Sequence, residues 1–298
     1  MIAARFKSLI AIIAISVLAP SASSQPEPTY ATTGPENGSL LIVGGAMRDP
    51  AILKKFFELG GGGEQPYVVI PTAGADNINE LALNRAASFL TRAGATNVTV
   101  LHTKDRDEAD TEQFVRPLKA ARGVWFGGGR QWRLADSYLG TKTEEEFHKL
   151  LARGGVIGGS SAGATIQGSY LARGDTKTNA IMMGDHTEGF SFIKNIAIDQ
   201  HLLQRNRQFD LVEIVKAKPQ LLGVGLDENT AIVVTGNEFE VIGPNYVAVY
   251  DHKLWKTNQH KKTFQPFFLL RKGDTYDMKT RNVTWDGSHR RNNAILNP

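Results

Sequence analysis

Ser161 lies at the centre of Gly159-Ser-Ser-Ala-Gly163, a G-x-S-x-G pattern in a chain of 298 residues. The apolar residues 156–158 before it read as a strand, and residues 162–170 after it read as a helix. Strand, sharp turn and helix are what a nucleophile elbow requires. The serine takes a strained backbone conformation that pushes its hydroxyl out of the turn, and small neighbours let strand and helix approach. The chemistry implied is acyl transfer, with the N–H of Ala162 directed at a developing oxyanion. Ser160 lacks the flanking symmetry. The chain has no cysteine, which excludes disulfides, thiolate zinc sites, iron–sulfur clusters and a cysteine nucleophile.

A nucleophilic serine needs a base and a group that orients the base. Of the seven histidines, His201 sits in Ile198-Asp-Gln-His-Leu-Leu-Gln-Arg-Asn-Arg207, after a strand-like run. Asp199, Gln200, Arg205 and Arg207 surround it. Such a cluster is costly to place unless it is solvated or binds something. His186, in Gly184-Asp-His-Thr-Glu188, is the competitor; His102 lies far upstream and His148 falls in a charged helix. For the acid, Asp227 and Glu228 at the end of strand 223–226 compete with Asp185.

The elements that must position these groups follow from hydrophobic patterning. Buried strands are expected at 39–45, 67–71, 98–101, 123–126 and 155–158, separated by helices at 51–59, 79–93, 111–121 and 143–152. This alternation predicts an α/β fold, a three-layer α/β/α arrangement with a mostly parallel sheet. Ligands then sit beyond the carboxyl ends of the strands. Those ends carry clustered glycines, at 44–45, 127–129 and 159–163. From 221 onward the pattern changes to short strands at 222–226, 230–234, 238–242 and 246–250, expected as antiparallel hairpins at a sheet edge. A β-rich C-terminal extension, residues 252–298, follows, with strands expected at 264–270 and 282–285.

Residues 1–25 read as a signal peptide: Arg5 and Lys7, then an apolar run of ten residues, then small residues around 21–24. The run is too short for a span, so no stable membrane insertion after cleavage and a secreted or periplasmic location are expected. Residues 26–38 read as a linker. Without Arg5 and Lys7 the formal charge falls from +4 to +2, and no basic run with interleaved aromatics marks a nucleic-acid partner. The composition, 41% hydrophobic and 21% charged, is globular.

Several segments together carry a resemblance to a known family: Leu41-Ile-Val-Gly-Gly-Ala46, Ile70-Pro-Thr-Ala73, Val124-Trp-Phe-Gly-Gly-Gly-Arg-Gln131, the serine elbow, Asp199-Gln-His201 with Gln204-Arg-Asn-Arg207, and Gly225-Leu-Asp-Glu-Asn-Thr-Ala231. In this order, over residues 39–251, the chain resembles the cyanophycinase branch of the serine peptidases that include dipeptidase E. The resemblance implies a class I glutamine amidotransferase-like (flavodoxin-like) fold with serine replacing the amidotransferase cysteine. It implies Ser161 as nucleophile, His201 as base and Glu228 as the acid. It further implies Gly128 or Gly129, with Ala162, as oxyanion-hole donors. Gln131, Asp199, Gln200, Arg205 and Arg207 would line the substrate pocket, with Asp199 suited to a substrate guanidinium. Neither a metal nor an organic cofactor is implied. The substrate implied is cyanophycin or a related β-aspartyl peptide, released as β-Asp-Arg-type dipeptides.

The chain departs from the family pattern at Arg130, where Asp is usual, at Asp210, where a third arginine is usual, and at Ser160, commonly Thr. The first two changes put the substrate in question more than the reaction class. A peptidase for α-aspartyl or other acidic peptides and a non-catalytic binding protein on the same fold are the alternatives. A homodimer is left open.

Overall fold

In the computed structural model, residues 31–75, 78–258 and 265–285 are described; the signal-peptide reading lies outside them. The first half runs β1 (Ser39–Val43), α1 (Pro50–Gly60), β2 (Pro66–Ile70), α2 (Glu80–Thr91), β3 (Asn97–Val100), α3 (Arg106–Ala109) and α4 (Glu112–Ala120). Then come β4 (Gly123–Phe126), α5 (Gln131–Tyr138), α6 (Lys142–Ala152), β5 (Val156–Ser160), α7 (Ala162–Thr165), β6 (Gly168–Tyr170) and β7 (Ile193–Gln200). The rest is α8 (Asp210–Ala217), β8 (Leu222–Leu226), β9 (Ala231–Thr235), β10 (Glu238–Ile242), β11 (Tyr246–Tyr250), α9 (His252–Asn258), β12 (Phe268–Arg271), β13 (Thr275–Asp277) and β14 (Asn282–Trp285).

The strands form two sheets. The larger has the order β14-β13-β10-β9-β1-β5-β4-β2-β3, parallel from β1 to β3 and antiparallel from β9 outward. The smaller has the order β12-β11-β8-β7-β6, with β6, β7 and β8 parallel. The chain is an α/β fold with a β-rich C-terminal region. Two expectations need correction. Residues 222–226 do not pair with 231–235: β8 joins β7 in the smaller sheet and β9 joins β1 in the larger, so the chain crosses between sheets at residues 227–230. The helix after Ser161 lasts a single turn, α7, because residues 168–170 are taken by pairing with β7.

Burial explains the layering. β1 is buried on both faces: Leu40 and Ile42 pack with Phe126, Ile157 and the Ile196, Ile198 and Val224 side chains of the smaller sheet. Leu41 and Val43 face the other way, onto Ile52, Phe56 and Phe57 of α1. A strand apolar at every position is what a two-sided sheet demands. α1 begins where Asp49 accepts the N–H of Ala51, with Pro50 in the first turn, and ends at left-handed Gly61. Residues 31–35, read as linker, lie on the body: Thr32 is buried, its hydroxyl donates to the Asn195 carbonyl, and Thr33 bridges Lys194. Among the described residues no helix is long and apolar enough to cross a membrane.

Candidate active site

The elbow forms where β5 ends. Ser161 has φ +58° and ψ −112°, a backbone state that costs a non-glycine residue free energy and persists only when its surroundings impose it. They do so from both sides. The Ser161 N–H donates to the Val43 carbonyl of β1 at 3.0 Å, and its own carbonyl accepts from Ala164 and Thr165. The flanking glycines are required by contact: a Cβ on Gly159 would stand 2.2 Å from the Gly163 carbonyl oxygen, and one on Gly163 2.2 Å from that of Phe126. Ala162, buried, opens α7, whose first N–H groups have no intrahelical acceptor.

Gly128 lies beside the serine: a Cβ there would sit 3.5 Å from the Cβ of Ser161 and 3.9 Å from its Oγ. Gly129, with φ +142°, instead abuts the Ala73 carbonyl. The loop is tied to the end of β2 by Gly127 N–H to Ile70 at 3.0 Å and Arg130 N–H to Ala73 at 2.7 Å.

His201 follows β7 in the smaller sheet, yet its Nε2 lies 2.9 Å from Ser161 Oγ. Its Nδ1 lies 2.6 Å from Glu228 Oε1. The three groups therefore form one hydrogen-bonded series across the two sheets. The turn after β1 holds it together. His201 N–H donates to the Gly44 carbonyl and Asn229 N–H to the Gly45 carbonyl, both at 2.8 Å. Gly45, at φ +121°, lies flat against the imidazole, where a Cβ would be 2.3 Å from Cε1. Asn229 Oδ1 accepts the N–H groups of Arg48 and Asp49, and the Asn245 amide donates to the Glu228 carbonyl. Gly45, Asn229 and Asn245 were given no role by sequence reasoning. The glycine pair at a strand end was the visible sign of the first, but the asparagines carry no local signal.

Burial holds the His201 imidazole below its ordinary value. The hydrogen bond to Glu228 opposes this, while the positive charges of Arg205 and Arg207 reinforce it. Asp227, the rival acid, is buried and accepts the N–H groups of Leu203 and Gln204, capping the turn that carries His201. His186 is engaged elsewhere, by Asp136 at 2.7 Å and Asp185 at 3.1 Å. Asp185 is accordingly not the partner of His201.

Four of the five expected substrate-binding residues, Gln131, Asp199, Gln200 and Arg207, are buried. Asp199 is fully buried, and its two oxygens accept a bidentate pair from Arg173 at 2.8 and 3.0 Å. Its carboxylate is closed to a substrate guanidinium because a buried charge demands a partner and an internal one supplies it. Arg173 also reaches Asp210. Gln131, buried, donates to the carbonyls of Ala172 and Arg173. Arg207 donates to the carbonyl and side chain of Gln200. These residues thus brace the His201 turn from beneath. Of the expected pocket residues, Arg205 alone is exposed. Arg130 donates to the Asp175 carbonyl. Arg173 was missed, although in Leu171-Ala-Arg-Gly-Asp175 it follows two apolar residues.

A serine, an imidazole and a carboxylate in hydrogen-bonded series at the strand ends of an α/β scaffold define a serine-type hydrolase. Residues 40–242 match the family model of Peptidase family S51, and the chain belongs to that family; it is a serine-type peptidase. Among relatives, it is 28% identical over 260 residues to a cyanophycinase of Geminocystis herdmanii, covering 81% of this chain and 94% of that one. It is also 28% identical over 264 residues to a cyanophycinase of a Nostoc species, covering 82% and 87%. Its fold is similar to the crystal structure of a peptidase from an acI-B1 actinobacterium, with TM-score 0.62 and 24% identity over 82% of this chain and 98% of that one.

Proposed function

We propose that the protein is an exported peptidase that hydrolyses cyanophycin or a related β-aspartyl peptide through an acyl-enzyme on Ser161. The observation that carries this reading is the continuous series from Ser161 Oγ through His201 to Glu228, at 2.9 and 2.6 Å. Ser161 Oγ attacks the scissile carbonyl while His201 Nε2 takes its proton; the C–N bond breaks and the same proton goes to the leaving amine. Water then attacks the acyl-enzyme with His201 again as base. Glu228 holds the imidazole and balances its transient charge. The N–H groups of Ala162 and Gly128 are the donors nearest the oxyanion. Two relatives named cyanophycinase support the polymer as substrate, and the exposed Arg205 beside His201 suits a substrate carboxylate. Export is proposed from the charged and apolar N-terminal sequence.

A second reading, hydrolysis of α-aspartyl or other acidic peptides, draws on the closure of Asp199 by Arg173, which removes an acceptor for arginyl side chains. Incubation with cyanophycin granules separates the two. Release of soluble β-Asp-Arg is the expected result; intact granules alongside cleavage of acidic peptides would favour the second.

The base must be neutral to act, so kcat/KM rises with pH as His201 loses its proton. The midpoint of that limb in the free enzyme is expected below 6.5, since burial and the neighbouring arginines disfavour the imidazolium. Removing one positive charge, in Arg205→Gln, should move the midpoint upward. A limb that Arg205→Gln leaves unmoved would count against His201 as the base.

A further inference from the structure

The loop 127–130, which carries Gly128 past the Ser161 side chain, hangs from the end of β2. Gly127 N–H donates to the Ile70 carbonyl at 3.0 Å and Arg130 N–H to the Ala73 carbonyl at 2.7 Å. Packing tightens the second tie: a Cβ on Gly129 would stand 1.9 Å from the Ala73 oxygen. The turn 71–74 is closed by Gly74 N–H donating to the Pro71 carbonyl at 2.8 Å. Thr72 lies inside that turn, fully buried. Its Oγ1 is 2.7 Å from the Tyr138 hydroxyl and 2.8 Å from Nδ1 of His102, which follows β3. Tyr138, also fully buried, ends α5, the helix that starts directly after the loop. Its hydroxyl receives the N–H of Thr103 at 3.3 Å. Near the other end of α5, Arg133 donates to the carbonyls of Ala73 and Gly74. The helix leaving the loop is thus tied to the turn 71–74 at two points.

We propose that Thr72 is a positioning residue for the oxyanion hole, acting through its hydroxyl on the loop that bears Gly128. The inference rests on the acyl-enzyme reading of Ser161. A main-chain donor serves an oxyanion only at about 3 Å from it, and a displacement of about 1 Å can cost about a hundredfold in rate. The bonds to Ile70 and Ala73 fix where the loop meets β2, but its tilt follows α5. Arg133 holds one end of that helix on the turn and the Thr72–Tyr138 bond holds the other, and two points set its direction. The protons available order the bonds: with Thr103 donating to the Tyr138 oxygen, Tyr138 donates to Thr72 and Thr72 to Nδ1 of a neutral His102. Burial and the charge of Lys104 hold the His102 imidazole below its ordinary value, against the pull of Glu108, which keeps that nitrogen an acceptor. Thr72→Val preserves the shape but turns a methyl group toward Tyr138 and His102. Polar groups left without a partner in a buried place are costly; they shift toward other partners, and the helix and the loop shift with them.

The test compares Thr72→Val, Tyr138→Phe, the double variant and Thr72→Ser, each checked for folding by thermal unfolding. Labelling of Ser161 by a small fluorophosphonate is followed by mass spectrometry; its phosphonyl oxygen takes the place of the oxyanion, and the reaction needs no known substrate. Steady-state kinetics on soluble cyanophycin run beside it. Thr72→Val and Tyr138→Phe should each label at least about tenfold more slowly than the wild type, with kcat lowered alike and KM within about twofold. The double variant should be no slower than the slower single, because both cut one link. Thr72→Ser, which keeps the hydroxyl, should restore the rate. Labelling at the wild-type rate in the folded Val or Phe variant, a rise in KM with kcat kept, or a Thr72→Ser as slow as Thr72→Val overturns the positioning role while the nucleophile stands. A wild type that does not label overturns the nucleophile reading itself.

Discussion

Ser161→Ala is expected to reduce peptide hydrolysis by about five to six orders of magnitude, the range for loss of a serine nucleophile acting in a triad. The hydroxyl is the atom that forms the acyl bond, and no neighbour can replace it. Ser160 is adjacent in sequence but lines a cavity shared with Ala86, Phe89 and Trp125, whereas the imidazole bonds Ser161. The fold should survive, because the elbow is held through main-chain bonds to Val43, Ala164 and Thr165 that alanine preserves. Steady-state kinetics beside circular dichroism and thermal unfolding tests both halves of the statement. A folded variant with more than about 1% of wild-type kcat would be incompatible with covalent catalysis at this residue.

Glu228→Gln is expected to lower kcat by about four orders of magnitude with little change in thermal stability. Glu228 Oε1 accepts a hydrogen bond from His201 Nδ1 at 2.6 Å, which fixes the tautomer with Nε2 unprotonated toward the serine. A glutamine amide can donate at that place, favouring the opposite tautomer and leaving Nε2 with a proton it cannot exchange for that of the serine. Asp227 cannot substitute, since its carboxylate caps Leu203 and Gln204. The loss should fall on kcat more than KM, as the change leaves the exposed Arg205 in place. A variant that loses affinity but keeps turnover would assign Glu228 to substrate binding instead.

How far the site was legible depends on sequence distance. The elbow could be read because its causes are local: an apolar strand, a turn crowded enough to demand glycine at 159 and 163, and a helix start. His201 and Glu228 could be named because each closes a strand with a polar residue. Choosing Glu228 over Asp227 from the residues alone was not possible, since adjacent side chains point to opposite sides of a turn whose direction is set by the Gly45 carbonyl far upstream. The internal partners of Asp199 and Gln131 were hidden for the same reason. Their partner, Arg173, follows β6, which pairs in parallel with β7, and which strand pairs with which leaves no mark on the local pattern. The two-sheet arrangement was hidden likewise, because β8 and β9 are consecutive in the chain but belong to different sheets.

The division of the triad between those sheets has a consequence. The nucleophile belongs to β5 in the larger sheet, and the base and acid to the ends of β7 and β8 in the smaller. A chain that has completed either sheet alone holds no serine–imidazole pair. Competence arrives only when the two sheets dock through Ile42, Ile157, Ile198 and Val224. The serine–imidazole pair therefore exists only in the docked state, and hydrolytic activity reports that docking.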